Sequence, residues 1–252
     1  MKVFDSHLHI IPPGYPLYEN QGYLPDYFTV DDYRVQMLRE LPDYVPVGGA
    51  VVSGSFQKQD QTYLLHALKL LGDSYVGVTQ LASDTEDKAI LALDQAGVRA
   101  VRFNFKRGSP ESLDQIREFA VRVYDLAGWH CEFYIDSTDL EELSPLLLSL
   151  PAVSIDHLGL SRMGLGLLLK LAEQGVRVKA TGFGRLDFDP VPVIRQLYTA
   201  NPECLMFGSD LPSTRAARPF SGKDIAIIYE AVGDLGAHNV LYGNALNFYA
   251  KT

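Results

Sequence analysis

The sequence predicts an α/β fold, a (β/α)8 TIM barrel that forms a single domain over residues 1–252. Three observations predict it: short β-rich runs alternate with helical patterns, eight such runs can be counted, and the length is usual for this barrel. Eight strands separated by helices favour a barrel over a doubly wound sheet. No linker or break in composition divides the chain, so we expect one domain.

The predicted elements follow one another along the whole chain. The strands are "KVFDSHLHI", "PVGGAVVSG", "YVGVTQLA", "VRAVRFNF", "HCEFYID", "VSIDHLG", "VRVKATGFG" and "CLMFGSD". Helices are predicted at 60–71, 85–96, 109–127, 138–149, 162–174, 190–200 and 222–236. Gly97, Gly128 and Gly175 each stand just after a helix and just before a strand, which is typical of helix C-termini. Ser109, followed by Pro110, predicts a helix start.

Composition and charge narrow the range of partners. The net charge of −9 argues against binding to nucleic acid or to an anionic membrane. No apolar run is long enough to span a bilayer, and the N-terminus does not resemble a signal peptide. Cys131 and Cys204 lie in strand-like runs, which predicts reduced core thiols and a cytoplasmic protein. A monomer and a small homo-oligomer both remain open.

Polar side chains stand at the ends of several predicted strands. They are His7, His9, Arg102, Asn104, His157, Arg185 and Asp210. The active sites of such barrels lie at the carboxyl ends of the strands. A single buried histidine is more often a hydrogen-bonded core residue than a functional one. Seven polar side chains that meet at one end of the barrel indicate a functional site.

Five motifs carry a resemblance to a known family. In order, they are the HxH of "FDSHLHI", "VRFNFKR", "DHLG" within "IDHLG", "TGFGRL" and "GSDLP" within "FGSDLPST". Together they resemble the amidohydrolase superfamily, in particular its amidohydrolase-2 type and the 2-pyrone-4,6-dicarboxylate lactonases within it. The similarity extends from His7 to "YGNALNFYA" near the C-terminus.

The resemblance implies a mechanism. Asp210 would act as the general base on a water molecule that attacks an ester carbonyl. His7, His9 and His157 would donate hydrogen bonds to the carbonyl oxygen as it becomes an oxyanion. Partial burial is expected to raise the pKa of Asp210 towards a value useful for a base. The sequence leaves open which histidine contacts the carbonyl.

The resemblance also implies a pocket for substrate carboxylates, which arginine binds through two parallel hydrogen bonds. Its expected members are Arg102, Asn104, Arg107, Tyr134 and Arg185, with either Ser53 or Ser55. Ordinary ion pairs are the alternative. Arg102 would then pair with Asp136 or Glu132. Arg185 would pair with Asp187.

The same family bears on the metal question. Its metal-dependent members use the HxH pair, a strand-8 aspartate and often a strand-5 lysine or histidine with a strand-6 histidine. His130 begins strand 5, and at ~3.3 Å per residue it would lie roughly 15–20 Å from the mouth of the barrel. The resemblance to the lactonases implies a site that works without metal, so we expect no cofactor. If a divalent metal such as zinc binds, His7, His9, Asp210 and His157 are the expected ligands.

The segment 11–28 after strand 1 is long and rich in tyrosine, proline and glycine. This composition suits a lid in which Tyr15, Tyr18 or Tyr23 covers a flat ring. Simple packing over the end of the barrel is an equal alternative.

Three further basic residues receive structural interpretations. Lys179 precedes the mouth of strand 7 by several residues and is expected to be a buried ion-pair partner. Arg215 and Arg218 follow strand 8 in "STRAARPFSG" and are predicted to be surface charges of a loop, with an extension of the anion site as the alternative.

The sequence thus predicts a hydrolase of lactone esters. Its expected substrate is a small anionic lactone or dicarboxylate, similar to 2-pyrone-4,6-dicarboxylate or a sugar-acid lactone. One alternative is a zinc-dependent amidohydrolase or nonoxidative decarboxylase of the same superfamily. A barrel that binds a carboxylated metabolite without turning it over is the alternative from another class.

Overall fold

Eight parallel strands form the barrel that the sequence predicts, in the computed structural model, which describes residues 1–108 and 111–250. They are β1 (Lys2–Leu8), β2 (Val45–Val52), β3 (Tyr75–Thr79), β4 (Val98–Phe103), β5 (His130–Phe133), β6 (Val153–Ile155), β7 (Arg177–Ala180) and β8 (Leu205–Phe207). They follow one another in chain order around the sheet. The carboxyl ends of all the strands therefore lie at the same end of the barrel.

Helices connect successive strands and cover the outside of the barrel. Those described are α1 (Val30–Glu40), α2 (Thr62–Leu71), α3 (Asp87–Gln95), α4 (Leu113–Ala127), α5 (Leu140–Ser149), α6 (Leu165–Glu173), α7 (Pro190–Ala200), α8 (Asp224–His238) and α9 (Asn244–Tyr249). The predicted start at Ser109 and Pro110 lies outside the described residues, and Ser112 caps α4. None of the described helices is long and apolar enough to cross a membrane.

The helix α1 was not predicted from the sequence. It begins after Thr29, which forms a reciprocal capping box with Asp32. Val30, Tyr33 and Met37 are its buried residues, and their spacing gives it one narrow apolar face. Charged residues occupy much of the remaining surface, so the apolar period is weak in the sequence.

The side chain of Asp5 joins the first and last strands. Its Oδ1 accepts hydrogen bonds from the backbone N–H groups of His7, at 3.2 Å, and Ser209, at 2.8 Å. Its Oδ2 accepts from the hydroxyls of Ser209, at 2.6 Å, and Tyr33, at 3.2 Å. Within the described ranges no β-ladder pairs β1 with β8. This carboxylate therefore performs part of the closure that a ladder performs between the other strands.

Backbone contacts complete the closure and place the site. Asp210 donates its N–H to the carbonyl of His7, and His9 donates to Leu211, both at 2.8 Å. A Cβ at Gly208 would lie 2.7 Å from the Cβ of His7, so only glycine allows this close approach. As a result, the HxH pair and Asp210 lie side by side although they are two hundred residues apart in sequence.

The segment 11–28 folds back on itself over the end of the barrel. Ile11 and Phe28 pair in antiparallel fashion at its base, where both side chains are buried. Asn20 and Tyr23 pair again near its tip. We call residues 18–24, at this tip, the lid; the name describes their place over the end of the barrel and not a motion.

We expect Asp5→Ala to lower the free energy of unfolding by about 3 kcal/mol, because buried donors of Ser209 and Tyr33 lose their acceptor. Urea unfolding at neutral pH measures the loss. Asp73→Ala, in an exposed turn, is the matched control and should change stability by less than about 0.5 kcal/mol. Equal small losses in both variants would contradict the closing role of Asp5.

Candidate active site

The predicted site residues meet at the carboxyl end of the barrel. His7 lies near the end of β1 and Arg102 near the end of β4. Tyr134, His157 and Asp210 directly follow β5, β6 and β8. A small chamber at this end is lined by His9, Ser55, Arg102, Asn104, Arg107, Tyr134, His157 and Arg185. His7 and Asp210 lie directly beneath it, fully buried.

The two candidate serines have different environments. The hydroxyl of Ser53 forms a 2.6 Å hydrogen bond with the hydroxyl of Tyr63, which lies in α2. Ser55 lines the chamber, and its hydroxyl donates to the side chain of Asn20 in the lid at 3.2 Å. Ser55 is therefore the serine positioned to meet a ligand.

Three imidazoles surround the carboxylate of Asp210. Nε2 of His7 lies 4.0 Å and Nε2 of His9 lies 3.7 Å from Asp210 Oδ1. The rings of His7 and His157 stand 4.8 Å apart, centroid to centroid, and Tyr134 lies edge-on against His157 at 5.1 Å. This cluster combines a proton acceptor with several ring N–H groups in a space sheltered from solvent.

Arg185 pairs with Asp210 and not with Asp187, the partner considered from the sequence. Its Nε donates to Asp210 Oδ2 at 2.7 Å, and its Nη2 donates to Oδ1 at 3.1 Å. Burial alone would raise the pKa of Asp210, but Arg185 and His157 outweigh burial and hold that pKa well below its ordinary value. The expectation of a raised pKa is therefore wrong for the protein without substrate.

Burial keeps two of the imidazoles neutral. It lowers the pKa of His7 to about 4, although Asp156 opposes the shift. It also holds the pKa of His157 well below the ordinary value, despite the nearby charge of Asp210. At neutral pH each of these rings therefore has one N–H donor and one lone pair.

The backbone is unusual at two residues of this cluster. His157 has a φ of 53° and Asp210 a φ of 60°, in the left-handed region that favours glycine. Such conformations persist where the surrounding structure fixes them, and they concentrate at functional sites. The turns that follow β6 and β8 are therefore shaped to present these side chains.

Arg102 belongs to a buried ion pair with Asp156, and neither Asp136 nor Glu132 is its partner. Its Nε and Nη2 donate to Asp156 Oδ2 at 3.1 and 2.8 Å, and its Nη1 donates to the carbonyl of Ser53 at 2.8 Å. Because all three nitrogens have protein partners, Arg102 has little capacity left for a substrate carboxylate.

Lys179 is a buried ion-pair partner, as predicted. Its Nζ lies 2.5 Å from Glu132 Oε2, and both side chains are inaccessible to solvent. Burial would raise the pKa of Glu132, but Lys179 and His130 lower it to about 2. His130 is the first residue of β5 and contacts Glu132 at 3.1 Å, so it does not line the chamber.

Two arginines at the mouth hold the lid. Arg107 Nη1 donates to Gln21 Oε1 at 3.0 Å. Arg215 donates through Nη2 to the backbone carbonyl of Asn20 and stacks 4.5 Å above the ring of Tyr23. Arg215 is half-buried and lines the chamber, so the preferred interpretation as a surface charge is wrong and its position agrees with the alternative at the site. The sequence signal that could have indicated this position is a basic residue shortly after the aspartate that follows β8.

The other arginine of that loop matches its prediction. Arg218 is exposed and forms an ion pair with Asp224, at 2.7 Å, at the start of α8. It therefore belongs to the surface and not to the site.

The chamber is small while the lid is in this position. Its volume is about 30 Å³, enough for about one water molecule. A neighbouring cavity of about 640 Å³ shares Ser55, Arg102, Asn104 and Arg107 with it, and the lid residues Tyr18 and Asn20 line that cavity. The chamber alone is too small for a ring-sized ligand, whereas the neighbouring cavity is large enough for one.

Two groups of buried side chains can hold a metal ion by their spacing. One is His7, His157 and Asp210, and the other is His7, Glu132 and Asp156. Among the described residues, Nε2 of His7 and Nδ1 of His157 have no hydrogen-bond partner. Arg185 already donates to both oxygens of Asp210, and Lys179 donates to Glu132. Each group thus already contains a carboxylate neutralised by a side-chain cation.

Several known proteins share this arrangement of the chain. A protein of Comamonas testosteroni named 2-pyrone-4,6-dicarboxylate hydrolase is 29% identical over 237 residues, which are 82% of this chain and 76% of that one. A structure from Pseudomonas putida, named for 2-pyrone-4,6-dicarboxylic acid hydrolase, is 30% identical, with a TM-score of 0.79 and coverage of 98% and 97%. A structure from Acinetobacter baumannii, named for the same activity and containing citric acid, superimposes with a TM-score of 0.83. The sequence of the A. baumannii protein is 23% identical, and the superposition covers 99% of this chain and 99% of that one.

The sequence model of one family spans the barrel almost from end to end. It is the amidohydrolase model, and it matches residues 4–251. Its range includes the HxH pair of β1 and the aspartate after β8, the two features that the closure of the barrel brings together. The chain therefore belongs to the amidohydrolase family.

Proposed function

We propose that this protein hydrolyses a small lactone that carries carboxylate groups, with 2-pyrone-4,6-dicarboxylate as the leading candidate and sugar-acid lactones as close analogues. The observation that carries the proposal is a buried carboxylate, Asp210, within 4.0 Å of two imidazole nitrogens and bonded to an arginine. The names of the relatives from C. testosteroni and P. putida support a dicarboxylate lactone as the substrate.

The reaction uses one water molecule. Water attacks the ester carbonyl carbon, and Asp210 accepts one of its protons. A ring N–H of the histidine cluster donates to the carbonyl oxygen as it becomes an oxyanion. When the intermediate collapses, the bond between the carbonyl carbon and the ring oxygen breaks. The ring oxygen takes the proton back from Asp210, and the new carboxyl group releases its own proton to solvent.

Arg185 links substrate binding to this chemistry. Asp210 with a strongly lowered pKa is a poor base, and Arg185 is the largest favourable charge beside it. A substrate carboxylate that accepts the hydrogen bonds of Arg185 weakens this stabilisation. The pKa of Asp210 then rises towards a value suited to proton transfer. The anionic group of the substrate therefore contributes to activation as well as to binding.

Two arginines at the mouth of the barrel also suit an anionic ligand. Arg107 and Arg215 contact neutral oxygens of the lid, so their charges are not compensated by a carboxylate in the contacts described. Their guanidinium groups can exchange these contacts for a carboxylate, which is a stronger acceptor. Arg102, in contrast, supports the chamber from below through Asp156.

We also propose that the reaction needs no metal ion. The spacing of His7, His157 and Asp210 permits one, but the donor set does not fit a divalent cation. Both oxygens of Asp210 accept hydrogen bonds from Arg185, and a dication there would face that guanidinium at close range. The positive charge that the carboxylate requires is already supplied by the chain.

Asp210→Asn tests the proposed function directly. The amide keeps the shape but cannot accept a proton, so turnover of 2-pyrone-4,6-dicarboxylate should fall by about 10²–10⁴-fold, with anion binding largely retained. Steady-state kinetics and calorimetry with the lactone measure the two effects. Hydrolysis at the wild-type rate would show that Asp210 is not the base. Failure of the wild type to hydrolyse any carboxylated lactone would overturn the function.

Arg107→Met and Arg215→Met test the nature of the substrate. Each change should lower kcat/KM for a carboxylated lactone by about 10²-fold, since a lost charge-assisted contact is worth a few kcal/mol. For an uncharged lactone of the same ring, the same changes should have little effect. Arg162→Met, on the exposed surface after β6, is the matched control. Equal losses on both lactones would assign these arginines a structural role.

Chelation tests the metal proposal. Protein treated with a chelator should keep its activity, and the purified protein should contain well under one equivalent of zinc. Elemental analysis and activity assays before and after dialysis provide the measurement. Activity that disappears with the chelator and returns with zinc or manganese would refute this part of the proposal.

A further inference from the structure

A lysine ammonium lies inside one of the two groups that can hold a metal ion. The group is His7, Glu132 and Asp156, below the chamber and inside the barrel. Lys179 Nζ lies 2.5 Å from Glu132 Oε2, 3.5 Å from His7 Nδ1 and 3.7 Å from Asp156 Oδ1. The ammonium thus contacts the same three side chains that would otherwise coordinate an ion.

The remaining atoms of the two carboxylates are already bonded. Glu132 Oε1 accepts from the hydroxyl of Tyr249 and contacts His130. Asp156 Oδ2 accepts two hydrogen bonds from Arg102. This leaves Glu132 Oε2 and Asp156 Oδ1 beside the ammonium. Asp156 Oδ1 has no hydrogen-bond partner within the described residues, although His7 Nδ1 lies 3.3 Å and Lys179 Nζ 3.7 Å from it. A fully buried carboxylate oxygen without a hydrogen bond is costly unless a positive charge lies nearby.

We propose that Lys179 is the resident cation of an internal site formed by His7, Glu132 and Asp156, in the place where these side chains would hold a divalent metal ion. The ammonium is fully buried, and its charge is balanced by the carboxylates around it. The site is therefore a cation site whose occupant is part of the polypeptide.

Lys179 is then a positioning residue for His7. An ammonium can only donate hydrogen bonds, so it acts on the lone-pair side of Nδ1, 3.5 Å away. On the opposite side of the ring, Nε2 faces Asp210 at 4.0 Å. Asp156 Oδ1 lies 3.3 Å from the same Nδ1 and by itself would favour a proton there. The ammonium offsets the charge of this carboxylate and thereby favours the proton on Nε2. This role in catalysis rests on the proposed function, whereas the cation site itself does not.

Removal of the ammonium should convert the site into one that binds metal. Lys179→Ala, stripped with a chelator and then supplied with zinc, should retain about one equivalent after dialysis. Zinc should also raise its Tm by about 5 °C at concentrations near one hundred times Kd. The wild type and Lys170→Ala, which alters an exposed lysine of α6, should show neither effect.

Two further variants locate the ion. The double variant Lys179→Ala with Glu132→Gln lacks a charged ligand of the site, so zinc retention should disappear. Zinc bound by His7, His157 and Asp210 would instead persist, because Glu132 does not belong to that group. Lys179→Met fills the space without charge and should retain less zinc than Lys179→Ala. Retention that persists in the double variant, or equal retention in the wild type, would overturn the proposal.

The experiment remains decisive if Lys179→Ala does not fold alone. Refolding with and without zinc then replaces dialysis: recovery only with zinc supports the cation site, and failure with zinc overturns it. In folded, metal-free Lys179→Ala, kcat for the lactone should fall about 10²-fold with little change in KM. Zinc retention is measured without any substrate, so its failure is distinguishable from a failure of the proposed function.

Discussion

The structure depends on the contact between the first and last strands. Eight strands form a barrel only if β1 and β8 meet, and here one carboxylate, Asp5, accepts four hydrogen bonds across that junction. Gly208 allows the two backbones to approach closely. The candidate site is a consequence of this closure, because the HxH pair comes from the first strand and Asp210 follows the last.

Buried charges are the second constraint on the interior. Three ion pairs lie below or within the chamber, namely Arg102 with Asp156, Lys179 with Glu132, and Arg185 with Asp210. Each would be costly if either partner were missing, since an unpaired buried charge destabilises a fold by several kcal/mol. In each pair the charge of the cation is balanced by the carboxylate that it contacts.

Sequence reasoning predicted the barrel and most of its mouth because both follow from local patterns. Strand and helix periods, and the polar residue that ends each strand, are visible without knowledge of distant contacts. Pairing is not local. The ion-pair alternative for Arg102 named Asp136 or Glu132, but side chains of alternate strands share a layer inside the barrel, which brings Asp156, after β6, to Arg102 on β4. The same limit applies to Arg185 and to the pKa of Asp210, which depends on a guanidinium twenty-five residues away.

Two other differences have separate physical causes. The helix α1 has an apolar face of only three buried residues, so its period is masked by charged neighbours. Arg215 lies in a loop with no periodic pattern at all, and its place at the mouth follows from the turn after Asp210 and from the lid that it contacts. Loops of this kind are positioned by tertiary contacts that single-sequence patterns do not encode.

The pairing of Arg185 with Asp210 has a consequence for discrimination between ligands. Arg185 must separate from Asp210 before it can bind a substrate carboxylate. The free energy of that separation makes substrate binding weaker than the final contacts alone would give. In the proposed mechanism, an uncharged molecule that reaches the chamber meets Asp210 still bound to its own counter-ion. Selection is then exercised in the chemical step as well as in binding, and bound analogues without the anionic group are expected to remain intact.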